Sequence, residues 1–170
     1  MPINKKNNNR ILAIDPGARE MGIAIMDGDE LIYASVKSLR PFRPQNRLKK
    51  AVKEILAKLI LEYGVTTIVA ENGWVSQLKN QLFDAAFSAI KETAKQKKLP
   101  FHTHTPSSIR KIVCSNGKAN KKETARKIAE RYPELTIYLE QDKRWKEQYW
   151  LHMFDAVAVG LAHLVPSRNF

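Results

Sequence analysis

Near the N-terminus three apolar runs follow one another, RILAID, MGIAIMDG and ELIYASV, separated by turns of only a few residues marked by Pro-Gly and Gly-Asp. Runs of Ile, Leu, Val and Ala bounded by such residues read as β-strands. A parallel crossover needs about a dozen residues or more, so these strands have to be antiparallel neighbours. That excludes an all-helical fold and an all-parallel sheet before any other residue is considered.

Residues 46–63 change period. Leu48, Val52, Ile55, Leu56, Leu59, Ile60 and Tyr63 recur at helical spacing with lysines between them, and Gly64 is a helix stop. VTTIVA reads as a strand buried on both faces. A second helix is predicted from Leu78 to Lys97, with Leu82, Ala86, Ile90 and Ala94 on one stripe. FHTHT is a short strand, and Pro106 opens a short helix through Val113. After the NGKAN loop a basic helix runs from Asn120 to Tyr132. The stretch 133–146 shows no clear period, and a final helix is predicted from Glu147 to Leu164. The order predicts an α/β domain: a mixed five-stranded sheet with helices on both faces. Residues 10–165 form this single domain, and residues 1–9 are a basic disordered tail.

The chain has 29 Lys and Arg against 17 Asp and Glu, a net charge of +12. A basic balance of this size points to a polyanion partner, nucleic acid foremost. Cys114 is the single cysteine, which excludes an intramolecular disulfide framework and a cysteine zinc cage. The start, MPINKKNNNR, has no apolar signal core, and AVAVGLAHLV is too short to span a bilayer. A cytoplasmic protein without membrane association is expected, with an organelle or viral origin left open.

Three acids stand where apolar elements end or pack. Asp15 closes the first strand in ILAIDPG, where it reads either as a site residue or as an ordinary Asp-Pro-Gly corner. Glu71 closes TTIVAEN. If the first and fourth strands are neighbours, two carboxylates lie side by side, a costly arrangement unless a cation joins them. Asp155 lies in HMFDAVAVGLAH among residues small enough for the helix to approach a sheet. It is either a third site acid or a first-turn acid favoured by the helix dipole. His152, three residues earlier, shares its face and reads as a ligand or as a histidine at the core edge. Together these residues suit two Mg²⁺ ions about 4 Å apart, since hard oxygen donors favour Mg²⁺. One ion would orient an attacking hydroxide and the other would stabilise the leaving 3′ oxygen. Phosphate-cradling, dinucleotide and zinc motifs are absent from the sequence.

At these residues the chain resembles the RuvC family of Holliday-junction resolvases. The family's strand-end Asp-Pro-Gly and following Gly strand match Asp15, Gly17 and Gly22. Its strand-end Glu with a nearby aromatic matches Glu71 and Trp74. Its Gly-x-Ala-x-Lys segment matches Gly117, Ala119 and Lys121, and its terminal Asp-Ala-x-Ala matches Asp155, Ala156 and Ala158. The resemblance implies an RNase H-like fold and a homodimer cutting four-way DNA junctions by paired phosphodiester hydrolysis. It implies catalytic roles for Asp15, Glu71, His152, Asp155 and Lys121. Asp15, Glu71, His152 and Asp155 would bind Mg²⁺, with Mn²⁺ as a substitute, and Arg110 and Lys121 would lie near the scissile phosphate. Two departures stand out. The second helix, LFDAAFSAIKETA, lacks the family's glycines, and residues 133–150, with Trp145 and Trp150, differ from the usual connection.

Arg110, Lys111, Lys118, Lys121, Lys122, Arg126 and Lys127 crowd one stretch, interrupted only by Glu123 and Glu130. This is either a solvated helix face or a phosphate-binding surface supplying affinity rather than sequence readout. Arg40, Arg43, Arg47, Lys49 and Lys50 form a second basic patch. Trp74 either stacks on an unpaired base or packs beneath the second helix. The apolar stripe of Leu82, Ala86 and Ile90 is available for a dimer interface. Two other readings are an RNase H-like nuclease of RNA processing and a non-catalytic binder of branched nucleic acid.

Overall fold

The computed structural model describes residues 9–73, 80–140 and 144–165. Strands β1 (Arg10–Asp15), β2 (Glu20–Asp27) and β3 (Glu30–Ser38) pair antiparallel in sequence order, as their short turns require. Helix α1 (Gln45–Tyr63) carries the chain over one face, so β4 (Thr67–Glu71) returns parallel to β1. Helix α2 (Gln81–Gln96) repeats that crossover and sets β5 (Phe101–His104) parallel to β4. The resulting order is β3-β2-β1-β4-β5, a mixed five-stranded sheet. Helices α3 (Pro106–Cys114), α4 (Lys121–Arg131), α5 (Thr136–Leu139) and α6 (Arg144–Leu164) follow.

Local chemistry sets the boundaries. Gly64 ends α1 in the left-handed region at φ 62°, which glycine enters without a Cβ penalty. The Asn80 side chain accepts from the Leu82 and Phe83 backbone N–H groups, so α2 begins at Gln81; the predicted start at Leu78 lies outside the described residues. Asn120 and Glu123 form a reciprocal capping box at the start of α4. The stretch without a clear period resolves into a 3-10 turn over Pro133–Leu135, α5, and an α6 that starts before Glu147. Of the predicted tail, only Asn9 is among the described residues, and it is exposed.

The strand residues alternate between two cores. Leu12, Ile14, Ile23, Ile25 and Ile68 pack against α1 and α2. Ile11, Ala13, Ala24, Met26 and Val69 pack against α6 and, beyond it, Ala125, Ile128, Ala129 and Tyr132 of α4 and its C-terminal cap. Each fully buried Ile or Leu contributes roughly 1.5–3 kcal/mol. Helix α6 lies close to the sheet because Gly160 faces Ala13 and Met26, where a Cβ would run into the Met26 sulfur. One expectation fails here. Ala86 and Ile90 are fully buried in the core with α1, so these two are consumed within the protomer and cannot contribute to a dimer face, whereas Leu82 is half-buried.

Candidate active site

Asp15 and Glu71 reach the same place through strand register. Ile14 pairs with Ala70 across the parallel β1–β4 ladder, so Asp15 and Glu71 are the next residues of adjacent strands. By alternation both point to the α6 side, as Ala13 and Val69 do. Asp155 descends on them from α6. Asp15 is 6% exposed and Asp155 8% exposed. The two remaining predicted catalytic residues complete the group: His152 Nδ1 lies 2.8 Å from Asp15 Oδ2, and Lys121 Nζ donates to Asp155 Oδ2 at 2.6 Å.

The close approach of His152 depends on Gly22. Gly22 pairs with Asp15 across β1 and β2, and a Cβ there would collide with the His152 backbone carbonyl. The glycine opens the space through which the helix backbone brings its histidine to the strand carboxylate.

The electrostatics follow from crowding acids in a poorly hydrated place. Burial, then the charges of Asp15 and Asp155, push Glu71 up to about 7, against the pull of Lys121 and Arg110. Burial and Asp15 also raise Asp155. The Lys121 ammonium loses hydration, but Asp155, Asp15 and Glu71 outweigh that and raise its pKa. The hydrogen bond to Asp15 raises His152 above the ordinary histidine range, with burial opposing. Lys121 and His152 thus engage two of the three carboxylates. Clustered hard carboxylate oxygens are the donor set Mg²⁺ takes. Among the described residues no group of three or more His, Cys, Asp or Glu side chains stands ready to hold a metal ion; Asp155 and Asp15 are instead engaged by Lys121 and His152.

Of the predicted nucleic-acid residues, Lys111, Lys118 and Lys122 are exposed, and Arg110 is half-buried and acts on Glu71. Trp74 lies outside the described residues. The second basic patch is largely paired: Arg40 with Glu20 at 2.5 Å, Lys49 with Glu92 at 2.9 Å and Lys50 with Glu54 at 3.8 Å. Arg43 and Arg47 remain exposed. A cleft of about 500 Å³ opens beside His152, lined also by Glu20, Ser38, Arg40, Gln148 and Tyr149. Of this wall the sequence reading singles out Arg40, in the second basic patch, and misses Glu20, Ser38, Gln148 and Tyr149. Of those four Tyr149 leaves a signal, three residues before His152 on the same helix face.

A family model described as crossover junction endodeoxyribonuclease RuvC matches residues 11–163. The RuvC of Corynebacterium glutamicum is 29% identical over 123 residues, 67% of this chain and 55% of that protein. This chain therefore spans about half the length of that relative. The RuvC of Salinibacter ruber is 27% identical over 160 residues, 90% of this chain and 83% of its own. Among solved structures, Thermus thermophilus RuvC superposes with a TM-score of 0.71 at 17% identity, covering 91% of this chain and 92% of that one. The yeast mitochondrial Holliday junction resolvase Ydc2 gives a TM-score of 0.67 at 11% identity, covering 92% and 78%. These last two likenesses bear out the predicted fold. With the model match running from β1 to the end of α6, the chain belongs to the RuvC family of crossover junction endodeoxyribonucleases.

Proposed function

We propose that this protein is a Mg²⁺-dependent endodeoxyribonuclease that resolves four-way DNA junctions as a homodimer, leaving 5′-phosphate and 3′-hydroxyl ends. The observation that carries this reading is the meeting of Asp15 and Glu71, at the ends of adjacent parallel strands, with Asp155 of α6. Family membership and relatives bearing the resolvase name support it. A RuvC of the same fold is known with a Holliday junction substrate.

Divalent-metal dependence is general in the family; the finer proposal is two Mg²⁺ ions, with Mn²⁺ as a substitute. Asp15, Glu71, Asp155 and His152 would hold them. The metal supplies Lewis acidity toward phosphate oxygens. Lys121 shields Asp155 until substrate arrives, and its half-exposed ammonium then reaches a phosphate oxygen. His152 bonds Asp15 through Nδ1, which leaves Nε2 as the ring nitrogen that would ligate. Arg110 lowers the charge of the site beside Glu71. Lys111, Lys118 and Lys122 contact the backbone of a junction arm, and Trp74 stacks on a base at the junction centre. Residues 10–165 act as one nuclease domain, and no helix among the described residues is long and apolar enough to cross a membrane.

The test is cleavage in Mg²⁺ of four-way junctions, forks, linear duplex and RNA–DNA hybrids, with D15N as control. Paired symmetric nicks in junctions, lost in D15N while junction binding persists, are expected. Preferential cutting of RNA hybrids would move the protein to RNA processing. Tight junction binding without cutting by the wild type would make it a non-catalytic binder.

A further inference from the structure

Three of the chain's four histidines, His102, His104 and His163, meet where β5, an edge strand, passes the C-terminal end of α6. His102 and His104 are alternate residues of β5, paired with Val69 and Glu71, so both point to the α6 side. His104 Nε2 lies 3.2 Å from His163 Nδ1. The His102 and His163 ring centroids are 4.8 Å apart, and those of His104 and His163 are 5.4 Å apart.

Two neutral imidazoles sharing a proton would give that nitrogen separation. So would two ligands of one tetrahedral ion: Zn–N bonds of 2.0–2.1 Å place adjacent donor nitrogens about 3.3 Å apart. An ion can replace the shared proton with the two rings nearly where they are. Burial, and the neighbouring imidazoles, hold His104 and His163 below the usual histidine range, and the neutral ring is the form that ligates.

We propose that His102, His104 and His163 form a binding site for a divalent transition-metal ion of the Zn²⁺ type, which clamps the edge strand β5 to the end of α6. His104 and His163 preset two donors. His102, exposed and with its ring against His163, would supply the third by turning its ring, since no trio among the described residues stands ready to hold a metal ion. Water completes the shell. Imidazole nitrogens select this class of ion, whereas the carboxylates around Asp15 select Mg²⁺. The ion would tie β5 to α6 beside the strand whose Glu71 pairs with His104, and the site does not rest on the nuclease reading.

The full chain, in excess Mg²⁺ to occupy the carboxylates, is titrated with Co²⁺ as a coloured stand-in for Zn²⁺, and the visible d–d absorption and heat of binding are recorded. A tetrahedral-type band saturating at a single Co²⁺ per chain is expected. Both H163Q and H102Q should weaken binding at least about tenfold, the loss seen when even an outer-shell partner of a metal is removed. D15N should leave the band in place. The proposal is overturned if the wild type takes up no Co²⁺ under excess Mg²⁺. It is also overturned if the band survives in the histidine variants, or if it disappears in D15N instead. Should H163Q fail to fold by circular dichroism, H102Q, altered at an exposed ring, decides alone.

Discussion

Lys121 Nζ and Asp155 Oδ2 stand 2.6 Å apart, so a carboxylate that is 8% exposed holds a side-chain cation. Removing that cation leaves a buried acceptor unpaired, which costs about 1–3 kcal/mol. K121M should therefore lower the urea stability of the metal-free protein by roughly that amount, and Mg²⁺ should restore more stability to K121M than it adds to the wild type. Equal stability of the two metal-free proteins would remove the shielding role.

Glu71 gives the metal-free protein a pH dependence of definite sign. Burial and the neighbouring acids push its pKa up to about 7 in the fold, well above the ordinary carboxylate range, so the folded state binds the proton more tightly than the unfolded chain. Stability from this group is fully present below about pH 4.5 and is lost as pH rises through about 7. The Tm of metal-free protein should fall across that window, and E71Q should flatten the fall. Mg²⁺ binds the ionised carboxylate, so its stabilisation should be larger at pH 7.5 than at pH 5. A Tm profile unchanged by E71Q would show that Glu71 is not the titrating group.

Gly22 is the one position in β2 where a methyl group would strike the helix backbone, at the His152 carbonyl. Backbone cannot swing aside as a side chain does, so G22A should shift α6 and cost about 1–3 kcal/mol or more. Because the same shift parts His152 from Asp15, cleavage should drop further than stability predicts. Denaturation midpoints measured beside cleavage rates at a temperature where G22A is fully folded separate the two effects. Wild-type cleavage by the folded variant would mean that the approach of His152 is not needed.

The basic face should bind through phosphate charge. Junction affinity should fall linearly with salt on logarithmic axes, and each phosphate contact removed should reduce the slope by about 0.9. K118A, from an exposed loop position, should weaken junction binding by a similar factor across sequences while leaving the urea midpoint unchanged. An unchanged salt slope would place Lys118 off the DNA path.

The sequence by itself determined the elements and the strand-end acids. Local causes sufficed: continuous apolar runs bounded by turn residues make β1 and β2, the lysine-spaced apolar face makes α1, and Gly64 and Pro106 set boundaries by their own backbone limits. Asp15 and Glu71 were legible because a charge at the end of a buried strand has few places to go. Contacts between residues distant in the chain were decided only by the tertiary structure. Lys121 finds Asp155 across 34 residues, and His152 finds Asp15 across 137. Helical spacing likewise showed that Ala86 and Ile90 share a face, but packing against α1 decided what that face covers. The sequence marks His102 and His104 only as alternate residues of a short strand; α6 brings His163 beside them. A residue's periodicity fixes the direction of its side chain relative to its own element, whereas its partner depends on how whole elements dock, and docking is set by the summed burial of both cores.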